Sequence, residues 1–221
     1  MPGAEVDVVG LTVRRGEVLA LDGVSARLPA GAVTALVGGN GAGKSTLLDV
    51  LAGVLEPTSG RVDRPAGTTV AYVPQRSAVP DDLPVTVGDT LAMGRWRELG
   101  RWRRLRATDH ALVAECADRL GLTGVLGVPL SAVSGGQRQR ALVAQGLVAR
   151  AGLLLVDEPT AGVDAATQAV VLAALAEEAA RGAVVVHATH ERAAVDRADR
   201  VLTLVAGRVD GDRTTASLPA G

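Results

Sequence analysis

The chain has 221 residues, of which 48% are hydrophobic and 21% are charged, and its formal net charge at pH 7 is −1. The length suits one larger α/β domain, or one domain with an inserted lobe. The composition suits a packed core and excludes a disordered chain, and the net charge excludes a strong overall attraction to nucleic acid or anionic lipid. The lone cysteine, Cys116, excludes an internal disulfide. No apolar run reaches about 18 residues and the N-terminus lacks a signal-peptide pattern, so we expect neither a membrane span nor a leader.

Strands alternate with helices along most of the chain. Partial alternation of apolar and polar residues predicts an antiparallel strand pair near the N-terminus, interrupted by Arg14, Arg15 and Gly16. Short continuous apolar runs predict buried parallel strands, and helical periodicity predicts helices between them. The predicted strands are 6–13, 18–28, 32–37, 70–73, 153–156, 183–188 and 201–205, and the predicted helices in this framework are 44–54 and 165–180.

The middle of the chain has a different pattern. Residues 84 to 150 are mainly helical in rhythm, with turn signals near Gly100, Gly121 and Pro129. We therefore predict an α/β fold, with a mostly parallel sheet covered on both faces, antiparallel N-terminal strands and an inserted helical subdomain at approximately 76–150. The whole chain, 1–221, is predicted to form one domain, with a loose tail at 211–221.

Residues 38–45 form a phosphate-binding pattern. They match G-x-x-x-x-G-K-[ST], between a predicted buried strand and a predicted helix, as this motif requires. Glycines let the backbone wrap around a triphosphate, and the helix N-terminus adds N–H donors and partial positive charge. Lys44 is expected to reach the β- and γ-phosphates of ATP, and the Ser45 hydroxyl to bind Mg²⁺. The candidate nucleotide-binding residues are Gly38, Gly39, Asn40, Gly41, Ala42, Gly43, Lys44, Ser45 and Thr46.

Lys44 is the only lysine among the 23 basic residues of the chain. Arginine is a planar fork, whereas lysine carries a compact charge on a thin stem. A chain that otherwise uses arginine therefore has lysine at the one place where we expect a guanidinium not to fit.

Two carboxylates, Asp157 and Glu158, end the predicted strand 153–156. Parallel sheets place ligand sites at the carboxyl ends of their strands. Asp157 is therefore a candidate for the Mg²⁺ shell, and Glu158 for polarising the water that attacks the γ-phosphate. Paired with the phosphate loop, these residues predict a nucleotide hydrolase.

Residues 134–137, Ser-Gly-Gly-Gln, follow Val133. They resemble the LSGGQ signature of ABC ATPases, with Val133 in place of the leading leucine. Ser134 is a good helix N-cap, and the two glycines leave backbone N–H groups open to an anion. The resemblance to the ABC family covers nearly the whole chain except the tail.

Three more residues match the ABC order of motifs. Gln75 resembles the glutamine that senses the metal and γ-phosphate, Asp164 stands at the D-loop aspartate position, and His190 resembles the switch histidine. His110 and His187 match no motif and are expected to be structural. The resemblance implies catalytic roles for Lys44, Gln75, Glu158 and His190, and Mg²⁺ ligation by Ser45, Gln75 and Asp157.

ABC subunits stack head to tail, so that ATP lies between the phosphate loop of one chain and the signature motif of the other. The resemblance therefore implies a homodimer whose monomer is a poor ATPase. Ser134, Gly135, Gly136, Gln137 and Asp164 would contact the partner's nucleotide. The family usually stacks an aromatic residue on adenine, but the expected place here contains Arg15. A guanidinium plane also stacks on a base, and a solvated surface arginine is the alternative.

Residues 72–79, 83–87 and 93–95 are similar to a stretch of bacterial zinc and manganese importer ATPases, where the ATPase meets the permease. This implies a peripheral subunit on the cytoplasmic face of a bacterial membrane, with an integral-membrane permease and, indirectly, a solute-binding protein. The favoured cargo is zinc, with manganese and iron open. An exporter ATPase and a soluble, non-transport ABC ATPase are the alternatives.

Residues 95–106 contain six arginines and both tryptophans. This segment suits a solvated helical face, or a surface near the permease and anionic head groups. Nucleic acid is a third interpretation. We expect no nucleic-acid partner, because the cluster is single and the net charge is not basic.

Overall fold

The structure is a computed structural model that describes residues 5–75, 84–100 and 104–215. The strands are Val6–Arg15 (β1), Val18–Leu28 (β2), Ala32–Val37 (β3), Ser59–Asp63 (β4), Val70–Val73 (β5), Leu153–Asp157 (β6), Val184–Ala188 (β7), Arg200–Val205 (β8) and Arg208–Thr214 (β9). The α-helices are Lys44–Ala52 (α1), Val87–Met93 (α2), Trp96–Leu99 (α3), Ala107–Arg119 (α4), Gly135–Val148 (α5), Ala165–Ala180 (α6) and Arg192–Asp196 (α7).

The strands form two sheets. The larger sheet has the order β5-β6-β7-β3-β8-β9, in which neighbours from β5 to β8 are parallel and β9 is antiparallel to β8. The smaller sheet, β2-β1-β4, is antiparallel. Every residue of the central strands β6 and β7 is buried, which explains why both are apolar apart from Asp157 and His187.

Apolar clusters cover both faces of the larger sheet. Val184 and Val186 belong to the cluster shared with α1 and the smaller sheet, whereas Val185 belongs to the cluster shared with α5 and α6. This division follows from the alternation of side chains along a strand. The predicted mostly parallel sheet, covered on both faces, is confirmed.

Among the described residues between β5 and β6, the regular elements are helical, from α2 to α5. A buried ion pair, Arg95 Nε to Asp109 Oδ1 at 2.8 Å, ties the end of α2 to α4. Helix α5 approaches β5 so closely that a Cβ added at Gly146 would lie 2.5 Å from Val73 Cγ2. Gly100 follows α3 and Gly121 follows α4, so the predicted breaks at these glycines are confirmed.

Several boundaries differ from the predictions. Strand β1 continues through Arg14 and Arg15, which pair with Leu19 and Val18, so the hairpin turn lies at residues 16–17. The predicted helix 44–54 ends at Ala52, because Gly53 adopts a left-handed conformation with φ of 72°. The short elements β4 and α7 were not predicted.

The prediction of a loose tail from residue 211 is wrong for residues 211–214, which belong to β9. This strand is at the edge of the sheet and is mostly exposed, so it needs no apolar run. An ion pair between Arg200 Nη2 and Asp212 Oδ2, at 2.5 Å, supports its pairing with β8. Of the rest of the predicted tail, the Thr215 N–H donates to the Asp199 carbonyl oxygen at 2.9 Å, and residues 216–221 lie outside the described residues.

Within the described ranges, no helix has the length and apolar character needed to cross a membrane.

Candidate functional site

The phosphate-binding loop connects the end of β3 to the start of α1. Gly43 precedes the helix with φ of 105°, and a Cβ there would lie 2.7 Å from the Ala20 carbonyl oxygen. A Cβ at Gly38 would lie 2.3 Å from the Leu204 carbonyl oxygen. Both positions therefore require glycine, for the backbone conformation and for the close approach of neighbouring strands.

Lys44 is buried at the start of α1 and points back into this loop. Its Nζ donates to the carbonyl oxygens of Gly38, at 2.8 Å, and Gly39, at 3.1 Å. A compact ammonium makes both contacts within the concave side of the loop, where a planar guanidinium is bulkier. This geometry is the physical reason for a lysine in an arginine-rich chain.

A cavity of about 400 Å³ lies above the loop. It is lined by Asn40, Gly41, Gly43, Lys44, Ser45, Thr46, Gln75 and Glu158. The structure thus brings the loop together with two predicted residues from elsewhere in the chain, one following β5 and one following β6. These strands end at the same edge of the sheet, because they are parallel neighbours.

Glu158 is held from two sides. Gln75 Nε2 donates to its Oε2 at 2.7 Å, and His190 Nδ1 lies 3.4 Å from its Oε1. Its backbone has a left-handed φ of 50°, and its N–H donates to the Ala188 carbonyl oxygen at 3.1 Å. A non-glycine residue in this conformation is uncommon and costs free energy, which is typical of functional sites.

Asp157 is the last residue of β6 and is buried beside the loop. Burial raises the pKa of its carboxyl group, and the hydrogen bond from the Ser45 hydroxyl and the charge of Lys44 partly oppose this shift. The Asp157 carboxyl group is thus within hydrogen-bonding reach of Ser45, a residue that lines the cavity.

The Ser45 and Asp157 oxygens suit Mg²⁺, which prefers hard oxygen ligands and commonly combines one or two carboxylates with substrate phosphates and water. Among the described residues, no group of three or more His, Cys, Asp or Glu side chains could hold a metal by itself. The donor set therefore fits a magnesium ion that arrives with a nucleotide better than a metal bound by protein alone.

The signature segment caps α5. Ser134 Oγ accepts from the Gln137 N–H at 3.2 Å, and Gln137 Oε1 accepts from the Ser134 N–H at 3.0 Å. This reciprocal capping box confirms the predicted N-cap. Behind it, a Cβ at Gly136 would lie 3.1 Å from Thr167 Oγ1, so α5 touches the first turn of α6.

Asp164 caps α6 and accepts from the Thr167 N–H at 2.8 Å. This hydrogen bond lowers the pKa of its carboxyl group. Neither Asp164 nor residues 134–137 are among the described residues that line the cavity. The structure thus divides the predicted site residues into a group around the cavity and a second group at the adjoining N-termini of α5 and α6.

Arg15, predicted to stack on adenine, does not line the cavity in the described part of the chain. Its Nη2 lies 2.5 Å from Asp49 Oδ2, and its side chain is 52% exposed. Tyr72 Oη donates to the other Asp49 oxygen at 3.2 Å. The guanidinium therefore has a carboxylate partner on α1 and still presents an open face to solvent.

Sequence analysis missed three residues that support this region: Asp49, Gln168 and Glu191. Asp49 had a signal, because it is the one charged residue within an otherwise apolar part of the predicted helix after Lys44. Gln168 Nε2 donates to Glu191 Oε2, which joins the turn after His190 to α6. No local pattern indicates this contact, since the two residues are 23 positions apart.

A phosphate loop between a buried strand and a helix, with an acidic pair at the end of another strand of the same sheet, defines a P-loop nucleoside triphosphatase. The family model described as ABC transporter matches residues 21–161. The chain belongs to the ABC transporter family, as an ATP-binding and ATP-hydrolysing cassette of the P-loop fold.

Relatives and solved structures agree with this family. The chain is 40% identical, over 90% of its length and 77% of the relative's, to the zinc transport system ATP-binding protein of Treponema pallidum (strain Nichols). It is 41% identical, over 90% and 74% of the two chains, to the hemin import ATP-binding protein of Streptomyces coelicolor (strain ATCC BAA-471 / A3(2) / M145). Among solved structures, the chain is similar to a metal-chelate type ABC transporter in an inward-facing conformation, with a TM-score of 0.84 and 29% sequence identity. The match covers 96% of this chain and 83% of that chain.

Proposed function

We propose that this chain is the ATP-hydrolysing subunit of a bacterial ABC importer for a metal, with zinc as its cargo. The ATPase activity is inferred from the cavity, which Lys44, Gln75 and Glu158 line together. His190 lies beside the Glu158 oxygen that Gln75 does not contact. The choice of cargo is based on similarity to import ATPases. Of the two relatives above, one is named for zinc transport and the other for hemin import. Manganese and iron are the competing cargoes.

The loop residues bind the triphosphate of ATP through backbone N–H groups, and the Lys44 ammonium moves from the loop carbonyls to the β- and γ-phosphates. Ser45, Asp157 and Gln75 would hold Mg²⁺, which would supply positive charge to neutralise these phosphates. Glu158 polarises the attacking water. Gln75 and His190 fix the two Glu158 oxygens, so that the carboxylate is oriented before water arrives.

The second group of residues supports a head-to-tail homodimer. Gly135 and Gly136 follow the N-cap Ser134 in the first turn of α5, where backbone N–H groups have no partner within the helix, and this arrangement suits an anion. The cavity of the same chain does not use them. In a dimer they contact the γ-phosphate bound by the partner chain, together with Gln137 and Asp164, and one chain alone is a poor ATPase.

The chain acts as a single nucleotide-binding domain whose helical subdomain, approximately residues 76–150, contacts an integral-membrane permease. A groove of about 150 Å³ between β5 and the helices is lined by Tyr72, Met93, Arg97 and Gln145, among others. It adjoins β5, the strand that leads to Gln75, so an occupant of the groove is well placed to move the glutamine. The ATPase would thus sit on the cytoplasmic face of the membrane, and a solute-binding protein would act through the permease.

The segment with six arginines is only partly a solvated face. Arg95 is buried in ion pairs with Glu98 and Asp109, and Arg97 Nη1 donates to the Val70 carbonyl oxygen at 3.2 Å. Trp96 is 60% exposed. Trp102 and its neighbours, like residues 76–83 of the importer-like stretch, lie outside the described residues.

The ATPase proposal is tested with the Glu158→Gln variant, which keeps the hydrogen-bonding shape but loses the carboxylate charge. We expect ATP binding at parental affinity, loss of turnover, and an ATP-dependent dimer in size-exclusion chromatography. Glu56→Gln, at an exposed position outside the cavity, is the matched control. Parental turnover by Glu158→Gln would remove this role.

The cargo proposal is tested by measuring total cellular metals with and without the gene under mild chelation. Selective loss of zinc, restored by the parent gene but not by Glu158→Gln, supports the proposal. Selective loss of manganese or iron, or a growth defect on hemin, changes the cargo and keeps the mechanism. No change in any metal, with ATPase activity intact, favours the exporter or the soluble ATPase.

A further inference from the structure

We propose that Gln168 and Glu191 form a positioning pair for ATP hydrolysis. The pair holds the turn that carries His190 against α6, and it connects this turn to the signature segment of the same chain. The first part requires only the ATPase site; the second part rests on the proposed head-to-tail dimer.

The Glu191 side chain bonds outside its own helix. Glu191 is the N-cap of α7, a position where short polar side chains commonly accept from the N–H groups of the first turn. Here its side chain makes no capping hydrogen bond. It accepts instead from Gln168 Nε2 on α6, in a half-buried, charge-assisted hydrogen bond. The Glu191 side chain therefore binds α6, which is distant in sequence, and makes no capping hydrogen bond to α7.

Both neighbours of His190 are anchored. The Thr189 N–H donates to the Leu36 carbonyl oxygen at 3.0 Å, and the Glu191 N–H donates to Thr189 Oγ1 at 3.1 Å. The His190 side chain itself is 59% exposed. Packing therefore does not hold its imidazole beside Glu158, and the position of the turn decides whether the two groups meet.

The other end of the pair belongs to the first turn of α6. The Gln168 N–H donates to the Asp164 carbonyl oxygen at 2.9 Å, one helical turn away. Thr167, between them, is the residue against which Gly136 packs. A continuous path of contacts thus runs from His190 through Glu191, Gln168 and the start of α6 to the signature segment.

This path gives the pair two consequences. Loss of the hydrogen bond between Gln168 and Glu191 removes one of the contacts that hold the turn carrying His190. The His190 and Glu158 side chains are then less well oriented, whereas the phosphate loop is unchanged. In the proposed dimer, His190 contacts the γ-phosphate of the ATP bound by its own chain, and the N-termini of α5 and α6 contact the ATP bound by the partner chain. The same path of contacts therefore connects the two nucleotides. Cooperativity between the two sites should then depend on the pair.

The experiment compares Gln168→Ala with a charge swap. We expect Gln168→Ala to lower kcat roughly tenfold, since misplacement by about 1 Å costs up to about 100-fold, and to leave the KM for ATP within about twofold. The Hill coefficient for ATP should fall towards unity. Gln168→Glu alone places a second carboxylate against Glu191, so its kcat should be no higher than that of Gln168→Ala. Adding Glu191→Gln to it recreates the pair with donor and acceptor exchanged, and should restore both kcat and cooperativity.

Arg192→Ala is the matched control, because Arg192 is next in the turn, 93% exposed and bonded only weakly to Asp196 at 3.7 Å. Its kcat should equal the parent value, and melting temperatures identify any variant that fails to fold. Parental kcat in Gln168→Ala, or a swap no better than Gln168→Glu alone, overturns the positioning role.

If kcat falls and recovers while cooperativity never changes, the link to the second site is overturned and the positioning role stands. Failure of the dimer proposal is a separate result: Glu158→Gln would then form no ATP-dependent dimer, whereas the kcat effects of the pair would persist.

Discussion

At the scale of single residues, Lys44 shows how composition and geometry agree. It is the only lysine of the chain, and its buried Nζ contacts two carbonyl oxygens of a loop that bends around it. Arginine is the basic residue this chain uses everywhere else. The constraint therefore comes from the shape of the loop and not from the need for positive charge.

The Lys44→Arg variant tests this constraint. We expect it to fold with a melting temperature close to the parent and to lose MgATP binding by at least about tenfold, because the guanidinium occupies volume meant for the phosphates. Fluorescent ATP-analogue titration measures this loss. Arg61→Lys, a basic exchange at an exposed position of β4 outside the cavity lining, is the control. Parental affinity in Lys44→Arg would show that charge alone suffices.

His187 is the second informative residue. It lies in the buried strand β7, it is fully buried, and neither ring nitrogen has a hydrogen-bond partner. Burial lowers the pKa of His187 from 6.5 to about 4, because the charged imidazole loses its hydration. The sequence-based expectation that His187 has no part in the site agrees with this placement.

His187 predicts a pH-dependent stability. The unfolded state binds a proton below about pH 6.5, whereas the folded state does so only near pH 4. The free energy of unfolding should therefore be highest above pH 6.5, as far as His187 determines it. It should decrease on acidification towards pH 4, by on the order of 3 kcal/mol. His187→Leu should flatten this part of the curve in urea titrations, and His110→Gln, at an exposed position, is the matched histidine control. An equal slope in His187→Leu would assign the pH dependence to other groups.

At the scale of elements, close contacts position α5, the helix that presents the signature segment. Its N-terminus is fixed by the reciprocal bonds of Ser134 and Gln137. Further along, a Cβ on Gly94, at the end of α2, would lie 2.3 Å from the Gln145 carbonyl oxygen of α5. Capping and a glycine contact thus act together with buried apolar residues such as Leu147 to set where the helix lies.

Gly94→Ala should therefore move α2 away from α5. Its φ of −56° suits alanine, so the cost comes from overpacking, at about 1–3 kcal/mol. Gly124→Ala is the control, because nothing lies within 4 Å of its added Cβ. Chemical denaturation compares the two variants. Equal stability of both would show that the α2–α5 contact yields without cost.

At the scale of the whole molecule, the site residues lie in two groups. Gln75, Glu158 and the loop surround one cavity, while residues 134–137 and Asp164 meet at the start of α5 and α6. In the proposed dimer, one chain would therefore present half of each of two composite sites. The proposed dimer follows from this division, since each half needs the other to enclose a nucleotide.

Mixing two inactive variants tests this division. Lys44→Arg damages the cavity half, and Gly135→Asp places a carboxylate where the partner's γ-phosphate would lie. Each variant alone should be inactive, whereas an equal mixture should recover part of the ATPase activity, because mixed dimers contain one intact composite site. The mixture should also gain specific activity as total concentration rises. Absence of recovery, with each variant folded, would contradict the shared site.

The sequence by itself determined the chemistry and most of the framework. Buried parallel strands are continuous apolar runs, and the phosphate loop has a strict spacing, so both are local signals that need no partner. The order of the signature, Asp157–Glu158 and His190 motifs indicated the family for the same reason. Edge strand β9 and the short elements β4 and α7 left no comparable signal, because half-exposed or very short segments impose little pattern.

Only the tertiary structure decided which side chains meet. The contacts of Glu158 with Gln75 and of Gln168 with Glu191 join residues far apart in sequence. The ion pair of Arg15 with Asp49 likewise depends on the angle between the hairpin and α1. Such contacts arise from the packing of strands and helices whose register a sequence pattern does not specify. The motifs thus determined that this protein binds and hydrolyses ATP, and the packing determined how its carboxylate, its histidine and its signature helix are held together.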